Sequence, residues 1–156
     1  MIEVKDGERI LQFEGELLGA SSSYKPGALR WIEFSLYKTR SGSYVLSRVG
    51  ASLIFHTAGC FLTQRYNLNE VSVTDLRSDA VACYDCQPTR QVPYVFPEKY
   101  RHWAQVTENP EVVLDSLHKR DESGSRYLTK VAQRVLEQAS ESDADIDQVY
   151  RVEIIP

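Results

Sequence analysis

RWIEFSLYKTRSGSYVLSRVGASLIF, residues 30–55, is the stretch that decides the fold. From Arg30 to Lys38 apolar and polar residues alternate: Ile32, Phe34 and Leu36 share one parity, and Trp31, Glu33, Ser35 and Tyr37 the other. That period of two belongs to a half-buried strand. Thr39 to Ser43 is short and contains Gly42, which suits a hairpin turn. Tyr44 to Phe55 then reads as the returning strand, with Val45, Val49, Ala51, Leu53 and Phe55 on one parity and a bulge or bend expected at Gly50.

Working outward, residues 10–20 also alternate and predict one strand, with Leu11, Phe13 and Leu17 on its apolar face. A Ser-rich loop with Pro26-Gly27 joins it to Arg30. The first half is therefore expected to be a three-stranded antiparallel meander over 8–56. Beyond it, 70–75 is a candidate strand, and Tyr100 to Val106 reads as a strand in preference to a short helix. In the last third, over 108–150, the apolar period changes to that of helices. Asn109-Pro110-Glu111 supplies an N-cap, a first-position proline and a first-turn acid. Val112, Val113, Leu114 and Leu117 form the apolar face, which fades near Lys119-Arg120. After a polar break at 121–125, Leu128, Val131, Ala132, Val135, Leu136 and Ala139 form one helical stripe. That helix either continues past Ser142-Asp143 or restarts there, with Ile146 and Val149 on its apolar side. Residues 151–155 are a candidate closing strand. The expected fold class is α+β: an antiparallel β-meander, a zinc-bound loop region and two or three C-terminal helices, in one domain spanning 1–156.

The loop region, 56–88, carries the chemistry. His56 and Cys60, then Cys83 and Cys86, give H-x3-C-x22-C-x2-C and use all three cysteines of the chain. Zinc takes four thiolate or imidazole ligands in a tetrahedron, and a C-x2-C pair presents two sulfurs from one tight turn. On a straight strand His56 and Cys60 would stand about 13 Å apart; Gly59 allows the turn that brings them to one ion. The plain alternative is three free thiols near an unrelated histidine, and the two-halved spacing favours the metal. A redox C-x2-C is disfavoured because Pro88 follows where such a motif opens a helix. Three thiolates and one imidazole make a closed, zinc ribbon-like structural site with no position left for water. Glu70 and Asp85 are not placed as a general base, and the His-x-Glu and Pro-Cys-x-x-Cys of zinc deaminases are missing.

His102 and His118 lack partners at ligand spacing and read as half-exposed surface residues. Asp143-Ala144-Asp145-Ile146-Asp147 lacks the glycine and terminal glutamate of a calcium loop and reads as a solvated helix start. Phosphate-loop, dinucleotide, zinc-protease and serine-hydrolase motifs do not occur.

Charge narrows the partners. The formal net charge is −4. Residues 107–156 hold 6 Lys+Arg against 11 Asp+Glu, a net of −5, while residues 1–70 hold 8 against 7, a net of +1. The chain has no overall basic surplus of the kind nucleic-acid binders carry. No apolar run reaches membrane-span length, and the first residues have no apolar leader pattern, so a cytoplasmic protein without a membrane partner is expected. The favoured function is a non-enzymatic adaptor with one structural zinc, acting through a protein partner. Its acidic helices suit a basic partner. A nucleic-acid binder ranks second. It would use Trp31, Tyr37, Tyr44 and Arg48 on one sheet face, with Arg30 or Lys38 at its edge, plus the zinc loops. The ordinary reading of those side chains, as packing under helices or a loop, is preferred. A zinc-dependent enzyme ranks third.

Overall fold

The computed structural model describes residues 1–57, 81–82, 94–95 and 100–156; for 55–57, 81–82 and 94–95 the description is of backbone alone. Two short strands come first, β1 (Ile2–Asp6) and β2 (Arg9–Phe13), paired antiparallel as a hairpin. Next come β3 (Gly15–Ser22), β4 (Arg30–Thr39) and β5 (Tyr44–Ser52). They are followed by β6 (Ile54–Thr57), β7 (Val81–Ala82), β8 (Tyr94–Val95) and β9 (Tyr100–Thr107). The last third holds α1 (Pro110–Leu117), a two-pair hairpin of β10 (Lys119–Arg120) and β11 (Arg126–Tyr127), α2 (Lys130–Ser142) and α3 (Ala144–Arg151).

The expected α+β class and three-strand meander are present. The main sheet has the order β3-β4-β5-β9, all antiparallel. The strand expected over Tyr100 to Val106 supplies its fourth member. The β4–β5 turn uses Gly42 at φ 96°, a conformation that costs a residue with a Cβ. Gly50 pairs with Ile32 in unbroken register, so of the bulge or bend expected there, the bulge is absent. The returning strand stops at Ser52 and a new one begins at Ile54, where a single strand to Phe55 was expected.

The bulge lies in β3 instead. Leu17 opposes Tyr37 and Gly19 opposes Leu36, leaving Leu18 as the extra residue. Leu18 turns into the core at 6% exposure, and Leu17, expected on the buried face, is 53% exposed. Gly19 lies under α2, where a Cβ would come within 2.7 Å of the Val135 carbonyl oxygen. The single strand expected over 10–20 is in fact two. Glu14 forms the corner between them, its carbonyl accepting from Arg40 N–H at 2.8 Å. Leu11 and Phe13 leave the meander to join β1, because their apolar face covers the sheet from the side opposite the helices.

Two cores result. On one face Leu18, Phe34, Leu36, Tyr44 and Leu46 meet the stripe Val131, Ala132, Val135, Leu136 and Ala139, with Val113, Leu117 and Ile146. On the other, Val45 and Ala104 lie under Val4, Leu11 and Phe13 of the hairpin. Burying each large aliphatic side chain stabilises the fold by about 1.5–3 kcal/mol. Both sheet edges are blunted: Gln138 of α2 accepts from Ala20 N–H at 2.9 Å, and Asp6 accepts from Ala104 N–H at 3.2 Å.

The helix signals are well reproduced. Asn109 caps α1 through a hydrogen bond from Glu111 N–H, with Pro110 at the first position. The second helix ends and restarts at Asp143, which caps α3. Residues 151–155, a candidate strand, contain the last residue of α3 and an exposed tail without regular structure.

Candidate functional site

His56 lies on the backbone of β6, paired with Val95. Its side chain, together with Cys60, Cys83 and Cys86, lies outside the described residues, as does the strand expected over 70–75. The backbone around them has one informative feature. Strand β6 runs parallel to β7, with Ile54 opposite Val81 and Phe55 opposite Ala82. The residue following Phe55 in sequence is His56, and the residue following Ala82 is Cys83. Among the described residues no group of three His, Cys, Asp or Glu side chains stands close enough to hold a metal ion.

A second cluster is buried. The Asp143 carboxylate accepts from the Lys38 ammonium at 2.6 Å, from the Tyr44 hydroxyl at 2.9 Å and from the Ile146 N–H at 2.9 Å. Asp143, expected in a solvated helix start, is instead 4% exposed, and Tyr44 is 1% exposed. The correction follows from the hairpin: Lys38 and Tyr44 are cross-strand partners on the helix side of the sheet and meet the α2–α3 junction there. Burial works against ionisation of Asp143, but the hydrogen bonds from Lys38, Ile146 and Tyr44 prevail and hold its pKa below the ordinary 3.8. The hydrogen bond to Asp143 raises the Lys38 pKa against its own burial. Burial first, and then donation to Asp143, pushes the Tyr44 hydroxyl up to about 12. At neutral pH the phenol therefore stays a donor. Every oxygen of Asp143 is occupied by protein, which makes the cluster a strut between sheet and helices.

The same register divides between two faces the aromatic and basic residues that the second-ranked reading put on one, and each packs against neighbours, as the preferred reading has it. Phe34 pairs with Arg48, Leu36 with Leu46 and Lys38 with Tyr44, so Tyr44 and Arg48 lie on the helix side. Trp31 and Tyr37 lie on the other. Tyr37 packs edge-on against Phe13 at 5.5 Å, Trp31 against Tyr24 at 4.9 Å, and Arg48 sits 5.3 Å over the Trp103 ring. A one-residue difference in register moves a side chain through the sheet, and the four do not form one surface.

A third cluster is open to solvent. A cleft of about 300 Å³ is lined by Asp115, His118, Arg120 and Arg126. His118 ends α1, its backbone N–H bonding the Leu114 carbonyl at 3.1 Å, and is half-buried as expected. Arg126 Nη2 donates to Asp115 at 2.6 Å and lies 3.0 Å from His118 Nδ1. Arg120 Nη1 donates to the Gly124 carbonyl at 2.8 Å. Arg120 and Arg126 are direct cross-strand partners in the β10–β11 hairpin. The loop between them is held by Asp121, whose carboxylate accepts from Ser123 N–H, Ser123 hydroxyl and Ser125 N–H at 2.9, 2.6 and 2.9 Å. The Ser123 hydroxyl leads the contacts that hold the Asp121 pKa below its ordinary value. Strands of two residues leave no period in the sequence, so this cluster was not anticipated.

Among the described residues no helix is long and apolar enough to cross a membrane. No protein-family model, no curated protein and no solved structure matches this chain.

Proposed function

We propose that the protein is a small cytoplasmic zinc-binding adaptor without catalytic activity, in which His56, Cys60, Cys83 and Cys86 hold one structural zinc and the fixed loops meet a protein partner. The observation that carries the metal half is the parallel ladder of β6 and β7. It joins the segment that runs into His56 to the segment that runs into Cys83, as one ion shared between the two halves of the motif requires. The closed ligand chemistry, three thiolates and an imidazole, favours a structural over a catalytic ion. The negative charge of 107–156 supports a basic protein partner.

Elemental analysis and native mass spectrometry of the purified protein test the metal. The expected result is about one zinc per chain, lost in Cys83→Ser and Cys86→Ser, with melting lowered by about 10 °C or more. Metal-free protein with unchanged melting would sink the zinc. Tight binding of DNA or RNA, weakening steeply with salt, would replace the protein partner by nucleic acid.

A further inference from the structure

The β10–β11 hairpin contains an electrostatic arrangement that the fold alone does not account for. Arg120 and Arg126 are directly opposed, and like charges in that position repel. Among the described residues one carboxylate lines the cleft beside them, Asp115, and it is bonded to Arg126. His118, which also lines the cleft, brings no negative charge to it.

We infer that this cleft is a binding site for a phosphate monoester, held between the guanidinium groups of Arg120 and Arg126. A phosphate monoester carries close to two negative charges and three strong acceptor oxygens. Guanidinium forks match such oxygens with paired hydrogen bonds. Among the described residues, the bonds made by each arginine in the cleft run through a single nitrogen, Nη1 of Arg120 and Nη2 of Arg126. Each guanidinium has five N–H donors, so both retain donors for a ligand. A dianion between them turns the repulsion into attraction on both sides. The Asp121 loop fixes the hairpin that carries them, which limits the ordering required on binding. A volume of about 300 Å³ suits a phosphorylated small molecule or a single phosphorylated side chain. Asp115 competes with the ligand for Arg126 and sets a threshold that monoanions such as chloride do not cross.

The site lies on the helical third and does not depend on the zinc reading. The full-length protein is titrated with inorganic phosphate and O-phosphoserine, followed by calorimetry and by the His118 ring resonances, with serine and chloride at matched ionic strength as controls. Saturable binding of both phosphates is expected, and not of the controls. Arg120→Gln and Arg126→Gln should each weaken binding about tenfold or more, and Asp115→Asn should tighten it several-fold. Circular dichroism confirms that each variant is folded. If an arginine variant does not fold, the other arginine and Asp115→Asn decide. A phosphoserine peptide binding more tightly than O-phosphoserine assigns the ligand to a protein partner, and equal affinity to a free metabolite. No saturation by about 50 mM phosphate, arginine variants that bind like the wild type, or an Asp115→Asn variant that binds no tighter would overturn the site. So would stronger, steeply salt-dependent binding of an oligonucleotide. Zinc measured in the same samples keeps this outcome separate from that of the metal.

Discussion

Two charged clusters among the described residues differ in what surrounds them. At the Lys38–Tyr44–Asp143 strut the carboxylate is 3% exposed and receives three hydrogen bonds from protein. At the Arg120–Arg126 hairpin the ion pair to Asp115 has side chains 46% and 66% exposed, and like charges face each other. Burial with every partner supplied makes the first cluster architecture. Exposure with an excess of donors makes the second a surface that something else completes. The contrast shows in stability measurements, because removing a partner from a buried network leaves polar groups without water.

The largest effect is expected at Asp143. Asp143→Ala removes the cap of α3 and leaves Tyr44 hydroxyl and Lys38 without their acceptor, at a cost of about 3–5 kcal/mol in denaturant unfolding. Asp143→Asn keeps the cap and loses the charge, and is expected to cost about half as much. Equal losses in the two variants would mean that the charge, not the cap, holds the junction; a loss under about 1 kcal/mol in Asp143→Ala would break the distinction between the clusters.

The strut also has a pH signature. Tyr44 is raised to about 12 from 10, so the folded state holds its proton after the unfolded chain has released it. That stabilisation is complete below pH 10 and is lost between 10 and 12, about 2–3 kcal/mol for a shift of this size. The raised Lys38 acts in the same direction, its contribution vanishing as pH rises past 10.5 and through its folded value. Asp143, depressed below 3.8, contributes above that value and loses its share as pH falls through the lower folded value. Urea unfolding from pH 9 to 12 should show the alkaline loss in the wild type and a smaller one in Tyr44→Phe. Identical profiles would remove Tyr44 from the account.

What could be read from the sequence divides along the same line between local and long-range causes. The start of α1 was legible because Asn109, Pro110 and Glu111 act on one another within a single turn. The β4–β5 hairpin was legible because alternation and a glycine lie within one short stretch. The face of Tyr44 was not, since one step of register decides it, nor was the burial of Asp143, whose partner Lys38 is 105 residues away. The break at Glu14 went unread because Leu11 and Phe13 keep the strand period while changing partner from the meander to β1. For the proposed metal ligands, spacing supplied the set, and the β6–β7 ladder adds the pairing of two chain segments that spacing does not encode.

The smallest effects belong to the exposed cluster and sharpen the comparison most. A double-mutant cycle on Arg126 and Asp115 should give a coupling of about 0.2–1 kcal/mol, falling further in salt, because water and ions screen an exposed pair. Arg120→Gln should change stability by no more than about 0.5 kcal/mol, since losing the bond to Gly124 is offset by relief of repulsion from Arg126. Phosphate then separates the clusters. At roughly five times its Kd it should stabilise the wild type by about 1 kcal/mol through binding to the folded state alone. Arg120→Gln should gain much less, whereas Tyr44→Phe, altered only at the strut, should gain as much as the wild type. A gain of equal size in Arg120→Gln would show that phosphate acts on the protein generally, and the exposed cluster would then be a surface ion pair and nothing more.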